Sequence, residues 1–93
     1  MNVVIYAKQD EEISVYEQYN KCAEYAKRYG YTINYKVLDF EGTIFHEAIN
    51  KVIAGHDITA LICYNMDNIG DYETGLFYRI YLDKFGKKLI SCN

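Results

Sequence analysis

Val3-Val4-Ile5-Tyr6-Ala7 is an unbroken apolar run, the pattern of a strand covered on both faces. A polar stretch from Lys8 to Ile13 follows, and Ser14-Val15-Tyr16-Glu17 then has capping-box spacing, in which hydroxyl and carboxylate satisfy each other's free backbone amides. Val15, Tyr19, Cys22, Ala23 and Ala26 recur at helical spacing, and Gly30 supplies the stop. Ile33, Tyr35 and Val37 alternate with Asn34, Lys36 and Leu38, the period-two signature of a strand with one less buried face. Asp39 to Thr43 reads as a turn around Gly42, and Phe45, Ala48, Ile49, Val52 and Ile53 as a shorter helix ending at Gly55. Ala60 to Tyr64 is a second unbroken run and predicts a central strand. Asn65 to Asp71 reads as polar loop; Leu76, Phe77, Ile80 and Tyr81 mark a third helix that stops near Gly86; Leu89 to Cys92 predicts a last strand.

Strands thus alternate with helices along the chain, and each connection is long enough for a crossover. Right-handed crossovers give a three-layer α/β/α domain with a four-stranded, mainly parallel sheet, and the flavodoxin-like strand order 2-1-3-4 is expected. In such sheets functional groups gather beyond the carboxyl ends of the strands. Here those positions are Lys8 to Asp10, Asp39, Asn65 to Asp71 and the end of the last strand.

Composition narrows the function more than the fold. Ninety-three residues make one domain, residues 1–93, with 51% hydrophobic and 25% charged residues, no proline and six glycines, so linkers and low-complexity tracts are absent. The net charge of −3 leaves only the pairs Lys27-Arg28 and Lys87-Lys88 as basic features. DNA binding needs cations to displace counterions from phosphates, so direct binding is expected to be weak or absent. No apolar run approaches the roughly 18 residues of a membrane span, and the start lacks a signal-peptide pattern, so a cytoplasmic location without membrane association is expected. Cys22, Cys63 and Cys92 are odd in number, lack metal-ligand spacing and have apolar neighbours; they read as reduced, buried thiols. No cofactor motif is present.

The opening Val-Val-Ile-Tyr-Ala-Lys resembles the first strand of resolvase/invertase-type serine recombinases, which runs apolar-apolar-Tyr-Ala-Arg. Ser14 to Tyr31, SVYEQYNKCAEYAKRYGY, resembles that family's first helix; Asp39 and Gly42 fall at its Asp-x-x-x-Ser-Gly turn. Ala60 to Asp67, with Ile69 beyond, resembles the strand and loop that carry Asp-Arg-Leu-Ser-Arg, and Lys84 to Ser91 the segment leading to the next strand. The resemblance implies a resolvase-like catalytic domain spanning the chain. Its reaction would be DNA cleavage by a serine hydroxyl that attacks a phosphodiester, amid arginines whose planar forks clamp the phosphate. It also implies that a long dimerisation helix and a DNA-binding module are lacking.

Carried over by position, the resemblance assigns a degenerate site. Tyr6, Gln18, Asp39 and Asp67 are retained; the first-strand arginine is Lys8; the nucleophile position is Asp10. The arginine before the second helix is His46 or is lost with a short deletion, and the last motif reads Asp67-Asn68-Ile69-Gly70-Asp71, without either arginine or the serine. Asp10, Asp39, Asp67 and Asp71 would surround Lys8 as the only nearby fixed cation, and two like charges about 4 Å apart repel by about 4 kcal/mol at an effective dielectric of 20. A phosphodiester would be repelled. Ser14 is four residues too late to replace the nucleophile and is better explained as a cap.

The expected function is that of a resolvase-like, recombination-associated domain, catalytically inactive, of mobile-element or phage origin. It would act by binding an intact recombinase or another protein, with a homo-oligomer open through the last strand's free edge. The alternative is a small acidic-pocket domain that binds a metal or accepts a phosphoryl group, with Asp10 and Asp67 as the ligands. Asp71 also suits the cap of the third helix, and His46 and His56 have no catalytic partner at recognisable spacing. Eleven tyrosines, several on the first and third helices, fit half-buried positions or a binding surface.

Overall fold

The computed structural model describes all residues from Met1 to Asn93, and each unbroken apolar run forms a covered strand. β1 (Asn2–Lys8) buries Val3 to Ala7 completely, and β3 (Ile58–Cys63) buries Ala60 to Cys63. With β2 (Thr32–Asp39) and β4 (Lys88–Ser91) they make a parallel four-stranded sheet in the expected order β2-β1-β3-β4.

The reversal of direction after β2 sends the first helix to one face and the other two to the opposite face. α1 (Val15–Arg28) seals one face, its Cys22 and Ala26 packing on Val3, Ile5, Ala60 and Ile62. α2 (Phe45–Ala54) and α3 (Tyr72–Asp83) share the other, over a larger core that includes Val4, Tyr6, Leu61, Cys63 and Leu89. No helix is long and apolar enough to cross a membrane.

Local signals account for the helix ends. The Ser14 hydroxyl accepts from the Glu17 amide at 3.1 Å, forming the hydroxyl half of the capping box. At the other end the Gly30 amide donates to the Lys27 carbonyl and the Tyr31 amide to Ala26, a Schellman stop that needs the positive φ of 71° at Gly30.

Three details depart from the pattern-based expectations. First, β2 carries an irregularity: Val3 pairs with Ile33 but Val4 pairs with Tyr35, so Asn34 is the extra residue. A one-residue slip moves side chains to the other face. Ile33 therefore packs on the α1 side while Val37 joins the α2 side, and the two do not share a face. Second, Asn65–Asp71 is not simply loop. A 3₁₀ turn spans Met66–Asn68 and buries Asn68 and Ile69, started by the Asn65 side chain, which accepts from the Asn68 amide at 3.2 Å.

Third, the apolar residues that mark α3 are not the ones it buries. Leu76, Phe77 and Ile80 are 45%, 58% and 53% exposed, whereas Gly75 and Leu82 are buried and Tyr78 and Tyr81 half-buried. The reason lies at Gly75, where a Cβ would come within 3.0 Å of Met66 Cε. The helix approaches the 3₁₀ turn closely on the side without a side chain, which turns Leu76 and Phe77 outward.

Candidate functional site

Two buried polar knots occupy the carboxyl ends of β1, β2 and β3. Gln18 on α1 makes the first. Its amide nitrogen donates to the Lys8 carbonyl at 2.6 Å and the Ile13 carbonyl at 3.2 Å, while its oxygen accepts from the Lys8 amide at 3.1 Å. Asn68 donates to the same oxygen at 2.8 Å. One fully buried amide thus joins the end of β1, the loop before α1 and the 3₁₀ turn after β3, with every polar atom of the knot satisfied.

Asp39, at the end of β2, makes the second. It accepts from the Tyr6 hydroxyl at 2.6 Å and from the Thr43 and Ile44 amides at 2.9 and 3.0 Å. Ile44 has no side chain able to cap α2, so the carboxylate of a preceding strand does so. Burial pushes the Asp39 carboxyl upward, but the Tyr6 hydroxyl and the backbone amides outweigh it and hold it below the ordinary carboxylate value. Tyr6 shifts the opposite way: burial, the hydrogen bond to Asp39 and its negative charge all push the phenol up. Tyr6 is accordingly a neutral donor.

The remaining site positions are dispersed. The half-buried Lys8 side chain runs past Gly42, where a Cβ would sit 3.1 Å from its Cε. Asp10 is exposed and accepts from the Glu12 amide at 2.7 Å, a local turn. Asp71 caps α3 by accepting from the Thr74 amide at 2.8 Å, and hydrogen bonds from Thr74 lower its carboxyl. Exposed Asp67 and Asp71 line a cleft of about 230 Å³ together with Met66, Tyr72, Leu76 and Arg79. His46, exposed on the first turn of α2, lines a different groove with Phe77 and Tyr78.

Of the four aspartates expected around Lys8, Asp10 holds a local turn and Asp71 caps α3. Asp39 is withdrawn into its own donors, and Arg79, 8 residues beyond Asp71 on α3, brings a second fixed cation beside Asp67 and Asp71. No group of three or more His, Cys, Asp or Glu side chains is placed to hold a metal ion. Sequence reasoning missed Arg79 because no motif marks it. It also missed the Gln18–Asn68 bond, since 50 residues separate the partners.

The two knots join the strand ends to the loops that follow them. After β1 the chain presents the carboxylate of Asp10, and the Ser14 hydroxyl caps α1. Stabilising a transferring phosphoryl group takes several converging cations. Arg79 lines the cleft with Asp67 and Asp71, whereas the Lys8 side chain lies against Gly42.

No protein-family model matches this chain, and no curated protein sequence does. Among solved structures, the N-terminal catalytic domain of TP901-1 integrase superposes with a TM-score of 0.84 at 19% identity, over 100% of this chain and 78% of that one. The C-terminal catalytic domain of ISC1926 TnpA, an IS607-like serine recombinase, superposes with a TM-score of 0.76 at 17% identity, over 100% of this chain and 70% of that one. At such identities the likeness is one of architecture, and it covers every strand and helix described above: the chain has the fold of a serine recombinase catalytic domain.

Proposed function

We propose that this is a catalytically inactive, recombinase-like domain that works by binding another protein, an intact serine recombinase first among the candidates. The supporting observation is the outward apolar face of α3, where Leu76, Phe77 and Ile80 stand exposed beside one another at helical spacing. Scattered exposed apolar residues are ordinary, but a contiguous stripe on one helix is the kind of surface that a partner covers. The residue content after β1 supports the inactive half of the reading, because a carboxylate at Asp10 cannot form a phosphoserine link.

Affinity capture from the native host, with mass spectrometry of the bound proteins, tests the reading. The wild-type chain is expected to retain a recombinase, and Phe77→Asp with Ile80→Asp to lose it while keeping a native circular-dichroism spectrum. Retention of the same partner by the folded double variant would rule out the α3 face.

A further inference from the structure

The fold collects the thiols that the sequence scatters. Cys22 on α1 is fully buried, and its sulfur lies 3.4 Å from that of Cys92, which directly follows β4. Cys92 is half-buried rather than buried, which corrects the expectation of three enclosed thiols. It is fixed in place by its amide, which donates to the Cys63 carbonyl at 3.0 Å. Cys92 lines a cleft of about 180 Å³ with Lys21, Glu24, Arg28 and Tyr64. Cys63 belongs to the opposite face of the sheet, where its thiol meets the Ile90 carbonyl at 3.6 Å within the α2–α3 core.

We propose that Cys22 and Cys92 are a redox-active dithiol, oxidised by a small anionic disulfide of the glutathione type that enters through the Lys21–Arg28 cleft. The division of labour between the sulfurs follows from their surroundings. Cys92 is the attacking thiol, because it is the one that solvent reaches. The hydrogen bond from Cys22 lowers its pKa against the cost of burial, helped by its own backbone amide and the Lys21 charge. The same hydrogen bond, with burial, pushes the Cys22 thiol up, which suits a resolving group that reacts second.

In the first step the Cys92 thiolate attacks one sulfur of the oxidant. The oxidant's sulfur–sulfur bond breaks, a mixed disulfide forms on Cys92, and one thiolate leaves. Cys22 then gives its proton to that thiolate and attacks the Cys92 sulfur, expelling the second thiolate, which takes from solvent the proton that Cys92 released, as the Cys22–Cys92 bond closes. The protein loses two electrons and two protons, and the oxidant is reduced to two thiols. The sulfurs must approach from 3.4 Å to a bond length of about 2.05 Å, a movement within reach of side-chain rotation at half-buried Cys92. The product ties the end of β4 to α1 across 70 residues of chain.

The full wild-type chain, incubated with glutathione disulfide and digested without reduction, gives the test by peptide mass spectrometry. Expected are a loss of two hydrogen atoms, a Cys22–Cys92 linked peptide and an unmodified Cys63. Cys22→Ser is expected to stop at one stable glutathione adduct on Cys92. Lys21→Gln should slow oxidation by glutathione disulfide several-fold more than oxidation by the neutral hydroxyethyl disulfide. The proposal is overturned by a wild-type chain that forms no Cys22–Cys92 link or oxidises Cys63 as readily. Equal slowing of both oxidants by Lys21→Gln would remove the charge of the Lys21–Arg28 cleft from it. If Cys22→Ser fails to fold, the wild-type map decides alone.

Discussion

α1 and α3 begin and end in the same way. Each has an oxygen-bearing cap, Ser14 and Asp71, and each stops at a positive-φ glycine, Gly30 and Gly86, after which the Tyr31 and Lys87 amides return to the Ala26 and Leu82 carbonyls. Between those ends they differ completely. α1 presents Val15, Gln18, Cys22 and Ala26 to the sheet on one continuous stripe, so small and medium side chains meet β1 and β3 with no space left over. α3 is apolar on several sides, buries Gly75 and Leu82, and leaves Leu76, Phe77 and Ile80 to solvent. A helix apolar all round is normally enclosed. One covered on a single stripe leaves its outer side to solvent, and that is where the two helices part company, although the larger core lies on the α2 and α3 face.

The largest effect that would sharpen this contrast is expected at Gln18. Gln18→Ala leaves the Lys8 amide and carbonyl, the Ile13 carbonyl and Asn68 without their buried partner, and each orphaned group costs about 1–3 kcal/mol. Relaxation and water recover part of this, so a loss of about 4 kcal/mol is expected in urea unfolding. A loss below about 1 kcal/mol would mean that the Gln18 knot does not hold the start of α1 to the strand ends.

Ala26→Leu comes next. Overpacking a sealed site costs about 1–3 kcal/mol, and a midpoint shift without a change in slope would report it. The Asp39 knot gives a smaller, pH-dependent effect. Its carboxyl lies lower in the folded chain than the unfolded value of about 3.9, so the unfolded state binds more protons between the two values. Its contribution is present above about pH 4 and is lost as pH falls through the folded value. Asp39→Asn should flatten the acid limb of stability measured from about pH 6 to pH 2.5, and an unchanged limb would detach Asp39 from acid unfolding.

The smallest effect is expected on α3. Ile80→Gln should change stability by no more than about 0.5 kcal/mol, because Ile80 is 53% exposed and belongs to neither core cluster. A cost of about 2 kcal/mol in the isolated protein would show that the outward face packs on something and would break the comparison.

Much of this architecture was legible in the residues. Val3–Ala7 and Ala60–Tyr64 could only be covered strands, and Ser14 and Gly30 bracket α1 as capping chemistry dictates. What stayed hidden depends on contacts between distant residues. The extra residue at Asn34 leaves no mark in composition, yet it decides the faces of Ile33 and Val37. The inward stripe of α3 is set by Gly75 approaching Met66, which a pattern of large apolar residues cannot reveal. The site divides along the same line. The site residues could be named from motif positions, but whether Asp39 repels a phosphate or caps α2 depends on Tyr6 and two backbone amides. Arg79 and the Cys22–Cys92 approach arise only once α3 and β4 are in place.

The central claim is that a recombinase fold persists here without recombinase chemistry, and the most direct measurement is a search for the covalent intermediate. Supercoiled DNA incubated with the wild-type chain, quenched in detergent and resolved by electrophoresis, should show unbroken DNA and no protein attached to it. A protein–DNA adduct whose digest contains a nucleotide on a serine, Ser14 included, would contradict the account.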